Sequence, residues 1–417
     1  MKQEVVMDQA KMTLEDVDRE IAAADQPGVD RGKIISDIQY FPDLSSLDGK
    51  DPFSAEYKSA ILEIFNDMKE GGYCLDDEAI IFDSPIEEPS PYNSHHPAMI
   101  GGHLAAIATL VRHIDVLPPG RVLDMGFGTG DTSLLLARCG FHVDAVDVNP
   151  RFIEMLTHWK ERVYVGDKIK VLQTDYDSLE GVAGPYDAIT FFESFHHSLN
   201  HVDLLKRLTA MLKPGGAIIF AGEPIYDHFS IPWGLRHDEG LATYCIRKMG
   251  WMELGFNTQY FLELLEKNGL CATRRTFTDY PVANHFRAMK ALNNIPILGL
   301  CLSDKFSQGW HPADGKVRWT KGSAILPLAY FKGANSVSLT LSNHKPADLQ
   351  VAIYADGQVL TAKVLSPGEH AVLNFTPPSD AAVLTIGCDA WSPSELGYNA
   401  DGRKLGVAVH AIDFHVP

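Results

Sequence analysis

The chain has 417 residues, 45% hydrophobic and 22% charged, with a formal net charge of −18. That length exceeds one ordinary core and calls for two or three domains; no apolar run of about 20 residues exists to span a bilayer, and Met1-Lys2-Gln3-Glu4 lacks the basic start of a signal peptide, so a cytoplasmic protein without membrane insertion is expected. The acidic balance opposes nucleic-acid partners, and the scattered cysteines Cys74, Cys139, Cys245, Cys271, Cys301 and Cys388 form no C-x-x-C pair, which predicts reduced, mostly buried thiols.

The N-terminal region offers one helix, Thr13 to Ala24, opened by a capping box of Thr13 and Asp16. Ser54 to Lys69 is a second. Its Ile61, Ile64, Phe65 and Met68 fall on one face, and Gly71-Gly72 ends it, so the apolar face must dock on something. Between Glu87 and His103 the chain is rich in Pro, Ser, Tyr and His, which predicts an ordered loop. His95-His96 has no partnered Cys or carboxylate cluster, and no metal site is expected.

Val122-Leu123-Asp124-Met125-Gly126-Phe127-Gly128-Thr129-Gly130 runs an apolar strand through an acid into three alternating glycines. Glycine tolerates positive φ and lets a ligand approach the backbone where a strand turns into a helix. Thr132 to Ala137 is that helix, its N-terminal amides facing back toward the ligand. The next strand, His142 to Asp147, ends in a carboxylate roughly 20 residues beyond the first glycine, where a ribose diol is bound. A dinucleotide fingerprint wants G-x-G-x-x-G, whereas here G-x-G-x-G is preceded by Asp124 and followed by Asp131. Carboxylates there repel pyrophosphate and suit a ligand bearing an ammonium; S-adenosylmethionine carries an ammonium and a sulfonium.

On these residues the chain resembles the class I S-adenosylmethionine-dependent methyltransferases over roughly residues 90 to 280. The resemblance implies that Asp124, Gly126, Gly128 and Gly130 hold the methionine part of S-adenosyl-L-methionine and that Asp147, with Val148 beside it, binds the ribose. Asp175, with Tyr176 beside it, would accept from the adenine amino group. Tyr186 to Glu193 matches the fourth strand, with Phe192 in the cofactor set, and Leu212-Lys213-Pro214-Gly215-Gly216 matches the turn before the fifth. A segment ahead of the first strand often closes over the cofactor in this family, which makes Tyr92, His95, His96 and His103 pocket candidates. Glu193-Ser194-Phe195-His196-His197 falls at the carboxyl edge, where this fold faces the methyl group. Histidine titrates near neutrality and can take an acceptor's proton, so His196, His197 and Glu193 are the catalytic candidates, His196 first.

From Arg121 to Tyr280 short apolar runs alternate with helices (Arg151 to Arg162, Val202 to Leu212, Thr258 to Asn268), the rhythm of a parallel sheet covered on both faces. An insertion from Pro224 through Tyr226, His228, Trp233, Arg236 and Trp251 either lines the acceptor pocket, as in the family, or forms a structural cap. Past Leu300 the period changes to two: Ser336 to Leu341, Leu349 to Tyr354, Val372 to Phe375, Val383 to Ile386 and Leu405 to Ile412 are strand-like, with a hairpin signal at Asp356-Gly357. This predicts a β-sandwich. Through Gly309-Trp310-His311, Arg318-Trp319, Pro393 to Gly397 and Asp401 to Gly406 it is similar to accessory modules of bacterial polysaccharide and glycan assembly enzymes, whose exposed Trp faces stack on sugars; the alternatives are a core role for Trp310 and Trp319 and an Arg403–Glu395 ion pair.

The expected architecture is an α/β, doubly wound Rossmann-like methyltransferase sheet with a helical N-terminal cap and lid (residues 1–100), a cofactor domain (101–300) and a C-terminal all-β sandwich (304–417). The expected reaction is methyl transfer to an oxygen or nitrogen of a small-molecule or saccharide acceptor. The alternatives are a natural-product scaffold as acceptor, with the sandwich building a homo-oligomer, a noncatalytic cofactor- or glycan-binding scaffold, and a nicotinamide reductase.

Overall fold

A computed structural model describes residues 12–79, 86, 96–114, 116–277, 280–290, 294–295, 308–314, 317–327, 336–378 and 383–415. The chain opens with α1 (Leu14–Ala24), α2 (Arg31–Ser36), α3 (Ala55–Met68), α4 (Leu75–Glu78) and α5 (Pro97–Arg112). The Thr13/Asp16 capping box opens α1 as expected, and Ser54 caps α3 by accepting from Tyr57 N. The Glu87–His103 loop is a correction. From Pro97 onward it is helix, because a proline at the first helical turn gives up an amide that has no partner anyway.

The central sheet is built from β1 (Arg121–Met125), β2 (His142–Asp147), β3 (Ile169–Gln173), β4 (Tyr186–Phe192) and β5 (Leu212–Ala221), with the short insertion strands β6 (Ile225–Tyr226), β7 (Trp233–Leu235) and β8 (Leu254–Asn257), then β9 (Leu270–Arg275) and β10 (His285–Lys290). Its order is β3-β2-β1-β4-β5-β10-β9, parallel except for β10, which is antiparallel to both neighbours. The order reverses between β1 and β4, and such a switch point leaves a crevice at the strands' carboxyl ends. Lys213-Pro214-Gly215-Gly216 is not a turn ahead of β5 but lies inside it, as a bulge that shifts the pairing from Tyr186↔Leu212 to Ala188↔Ala217.

Alternation along the strands divides the core. Leu123, Met125, Ile189, Phe191, Ile218 and Phe220 face one side with α3, α8 (His201–Ala210) and α10 (Thr258–Lys267). Val122, Ala188, Phe192, Ala217 and Ile219 face the other with α5, α6 (Asp131–Arg138) and α7 (Pro150–Arg162). Both faces are covered, which is why these strands read as continuous apolar runs. The apolar face of α3 docks on the insertion, where Tyr57 Oη donates to Trp233 O at 2.9 Å. α1 and α2 pack through Val17, Ile21 and Ile35 against Tyr244 and Cys245, at the end of α9 (Gly240–Tyr244).

The C-terminal strands are β11 (Asn294–Ile295), β12 (Trp310–Asp314), β13 (Val317–Thr320), β14 (Ser323–Pro327), β15 (Ser336–Ser342), β16 (Leu349–Ala355), β17 (Gln358–Leu365), β18 (His370–Phe375), β19 (Val383–Cys388) and β20 (Ala408–His415). They form a six-stranded and a four-stranded sheet around one core, in which Val337, Leu339 and Leu341 meet Val351, Ile353 and Ile386. Asp356 and Gly357, both at positive φ, make the predicted hairpin between β16 and β17. The last strand starts at Ala408, not Leu405, which instead bridges to Trp391. Asn294 and Ile295 already pair with β20, so the chain enters this sheet upstream of 304.

Of the alternatives for this region, the core role of the two tryptophans holds and the Arg403–Glu395 pair does not form. Trp310 and Trp319 are 4% and 8% exposed and offer no face for sugar stacking. Arg403 pairs with Asp401 and Asp314 and Glu395 with Lys404, so Arg403 and Glu395 do not pair with each other. The thiols also differ: among the described side chains Cys74 and Cys139 are exposed, Cys388 half-buried and only Cys245 buried, all of them free.

Candidate active site

The glycine loop follows directly from β1. Gly126, Gly128 and Gly130 all adopt positive φ (69°, 54° and 91°). A Cβ on Gly126 would lie 2.5 Å from Tyr176 Oη and 2.6 Å from Ser194 Cβ, whereas one on Gly128 would meet nothing within 4 Å. Gly126 is thus glycine because the protein packs against it. Gly128 faces open space, where a ligand can approach the backbone. Gly130 caps α6, whose N-terminus points at that space.

Asp147 ends β2 beside the loop. Its Oδ2 accepts from Gly128 N and its Oδ1 from Asn149 N, both at 2.9 Å, and burial pushes its carboxyl up to about 6. Asp124 is 1% exposed: Oδ2 accepts from Ser133 Oγ (2.6 Å) and Oδ1 from Thr190 Oγ1 (2.8 Å), and burial pushes it too up to about 6. Its hydroxyl partners tie β1 to α6 and β4, so it braces the loop from within. Asp175 spends Oδ1 on the amides of Asp177 and Ser178. Val148 and Tyr176 flank these acids and are half-buried; burial holds the Tyr176 phenol well above its ordinary value.

After β4 the chain turns sharply. Glu193 takes φ +50°, a region costly for a residue with a side chain and concentrated at functional sites. The turn is fixed at both ends. Ser194 Oγ donates to Met125 O at 2.7 Å, and Glu223 Oε1 accepts from Ser194 N and Phe195 N at 2.9 Å each. The second oxygen of Glu223 lies 2.8 Å from His196 Nδ1, which leaves Nε2 as the free end of that ring, 3.6 Å from Glu253 Oε2. The His197 ring lies 4.4 Å from that of His196 at a tilt of 35°, and its Nδ1 faces Glu78 Oε2 at 3.2 Å. Burial works against charge on His197, but Glu78, Glu253 and Glu223 outweigh it and push the imidazole up to about 9.

The catalytic candidates His196 and His197 therefore lie together, while Glu193 stands apart with His103, whose Nδ1 is 3.7 Å away and whose ring meets Phe192 edge-on. Of the other loop candidates, His96 is exposed ahead of α5, and Tyr92 and His95 lie outside the described residues. Three glutamates escaped the sequence reading. Glu223 follows β5 at the same carboxyl edge as His196, and the edge rule alone would have found it. Glu253 comes from the insertion just ahead of β8, and Glu78 ends α4; its Oε1 accepts from Met252 N at 2.7 Å. Arg236 Nη1 lies 3.8 Å from Glu253 but binds Glu239 more closely, at 2.6 Å.

The reversed strand order, the glycine loop and the acid at the end of β2 define a Rossmann-like domain of the class I methyltransferases, with S-adenosyl-L-methionine as cofactor. Residues 122–216 match the family described as a methyltransferase domain. The putative methyltransferase YqeM of Bacillus subtilis is 32% identical over 105 residues, 24% of this chain and 41% of that protein. A ubiquinone biosynthesis O-methyltransferase of Methylocella silvestris is 34% identical over 101 residues, 24% and 39% of the two chains. The chain thus spans about two fifths of the length of these relatives. Among solved structures, the magnesium protoporphyrin IX methyltransferase of Synechocystis with bound SAH is similar over 49% of this chain and 91% of that one, at 16% identity and a TM-score of 0.37.

Proposed function

We propose that the protein transfers the methyl group of S-adenosyl-L-methionine to a hydroxyl oxygen of a small-molecule acceptor. The observation that supports this most is the position of the His196–His197–Glu253 cluster, tied to the glycine loop through Ser194 and Met125. The cofactor would lie over Gly128 with its ribose at Asp147, and the cluster would meet the acceptor. The acceptor oxygen attacks the methyl carbon opposite sulfur; the C–O bond forms as the C–S bond breaks, and the electron pair leaves on sulfur as the neutral thioether. The hydroxyl proton passes to the imidazole and carboxylate cluster. Alignment and exclusion of water can account for roughly 7 to 11 kcal/mol of the barrier, and removal of the proton for a further factor of about 10² to 10⁴.

Oxygen is favoured over nitrogen because a hydroxyl must lose a proton to become nucleophilic, which is what such a cluster offers, and because relatives include an O-methyltransferase. A saccharide acceptor loses its main support with the burial of Trp310 and Trp319. The test is incubation of purified protein with methyl-labelled cofactor and a panel of hydroxylated small molecules. Label should appear in an acceptor and fall about 10²-fold in His196→Ala with cofactor affinity intact. Tight binding of the demethylated cofactor without transfer to any acceptor would favour a noncatalytic scaffold.

A further inference from the structure

The sequence gives no metal-ligand spacing, yet the fold gathers one ligand atom each from His196, His197 and Glu253 within 4.8 Å of one another. We propose that this cluster binds one divalent transition-metal ion, through His196 Nε2, a ring nitrogen of His197 and a carboxylate oxygen of Glu253.

Three observations carry the assignment. The first is distance. Tetrahedral ligands about 2.1 Å from a metal stand roughly 3.4 Å apart, and His196 Nε2 is already 3.6 Å from Glu253 Oε2. The second is the support behind the donors. A metal-binding imidazole usually gives its other nitrogen to a carboxylate, which fixes the ring and its tautomer. Glu223 does this for His196, and its own position is set by the amides of Ser194, Phe195 and His196. Glu78 stands behind His197 in the same way, held by Met252 N.

The third is charge. The side chains of Glu78, Glu223 and Glu253 are 9%, 1% and 8% exposed. Arg236 reaches Glu253 only at 3.8 Å and is shared with Asp238 and Glu239, which lie closer. Buried carboxylates in that number favour a cation among them, a place the protonated His197 ring holds until an ion displaces its proton. Two nitrogens and one carboxylate select zinc, manganese, iron or cobalt over magnesium or calcium, which prefer all-oxygen sites.

Three protein ligands leave the ion an open position. His197 is the least covered of the three ligands, which leaves its side of the cluster the more accessible. At the open position the ion would hold the acceptor's oxygen and polarise its O–H bond, and with both imidazoles engaged as ligands the proton would pass to the carboxylate oxygen of Glu253 that does not bind the ion. This role rests on the reading of the site as a methyl acceptor pocket, whereas ion binding itself does not.

The test uses the untagged full chain, stripped with chelator and titrated with Zn²⁺ or Co²⁺ alone, followed by calorimetry, elemental analysis and the visible spectrum of bound cobalt. One ion per chain is expected, with affinity reduced at least 100-fold in His196→Ala and Glu253→Gln, and 10- to 100-fold in Glu223→Gln. Circular dichroism melts of each variant report whether it folds, and Glu253→Gln keeps the side-chain volume if His196→Ala does not. Failure of the wild-type chain to bind either ion stoichiometrically, or equal binding by the folded variants, overturns the proposal. Neither cofactor nor acceptor is in the titration, so its outcome is independent of methyl transfer.

Discussion

Alanine at Gly126 and at Gly128 should damage the protein in different ways, although both residues sit at positive φ in one loop. The left-handed conformation costs a residue with a Cβ about 1–2 kcal/mol at either position. At Gly126 the new methyl would also press on Tyr176 Oη (2.5 Å) and Ser194 Cβ (2.6 Å). Ser194 cannot yield freely, because its hydroxyl is bonded to Met125 O and its amide to Glu223. Overpacking of this kind adds roughly 1–3 kcal/mol, for a total of about 2–5 kcal/mol, or roughly 5–15 °C in the melting of a domain of this size. At Gly128 no neighbour lies within 4 Å, so the stability cost stays near 1–2 kcal/mol, while the methyl occupies space where the cofactor's approach is expected. Differential scanning calorimetry with and without S-adenosylhomocysteine, and its titration into each variant, separate the two effects. Gly126→Ala should lower the ligand-sensitive transition more, and Gly128→Ala should lose at least tenfold in affinity with the smaller loss of stability. Equal melting of the two variants would show that Tyr176 and Ser194 do not set the loop.

Burial holds Asp124 at about 6 against an ordinary 3.8, so the folded chain keeps a proton that the unfolded chain releases between those values. The stability from this group is complete below about pH 3.8 and lost as pH rises through about 6. Asp124→Asn, measured without cofactor, should therefore gain on wild type by something on the order of 3 kcal/mol between pH 4 and pH 8; a pH-independent difference in urea melts would refute the assignment. Asp147→Ala should weaken S-adenosylhomocysteine binding by about tenfold to a hundredfold, the scale of hydrogen bonds to a charged partner, and unchanged calorimetric affinity would move the ribose site elsewhere. A chain ending at Lys290, ahead of β11, should stay soluble and bind the cofactor product, because the sandwich closes its own core; aggregation of that chain would show that the catalytic sheet needs the sandwich.

What could be read in advance was local. A capping box, an i, i+3, i+4, i+7 stripe and a strand running into glycines each carry their physics within a dozen residues, and α1, α3 and the β1 loop form where those patterns lie. The helix α5 was hidden by its approach: prolines, serines and histidines precede it, and Gly101-Gly102 lowers helix propensity inside it. Only docking of Ala106, Ile107 and Leu110 against the sheet decides that segment. The tryptophans of β12 and β13 illustrate the opposite limit, since nothing in a Trp-containing strand tells which face is covered. Trp310 is buried in the core between the two sheets, its Nε1 donating to Ile325 O of the four-stranded sheet, which is a fact of tertiary packing and not of its own strand.

The polar cluster was half legible for a related reason. His196 and His197 come from one turn whose position follows from the strand order. Their carboxylates arrive from three places: the end of β5, the insertion ahead of β8, and α4 in the N-terminal region. Each delivery is fixed by contacts that do no chemistry. Trp251 Nε1 donates to Asp77 O and Met252 N to Glu78, so α4 and the insertion are pinned together where Glu78 and Glu253 must meet the imidazoles. The N-terminal helices are therefore more than a cover, because without α4 His197 would lose its nearest carboxylate while keeping its place in the sequence. A site assembled this way is rigid only when cap, sheet and insertion are all docked, which joins the stability of the N-terminal region to whatever the two imidazoles hold.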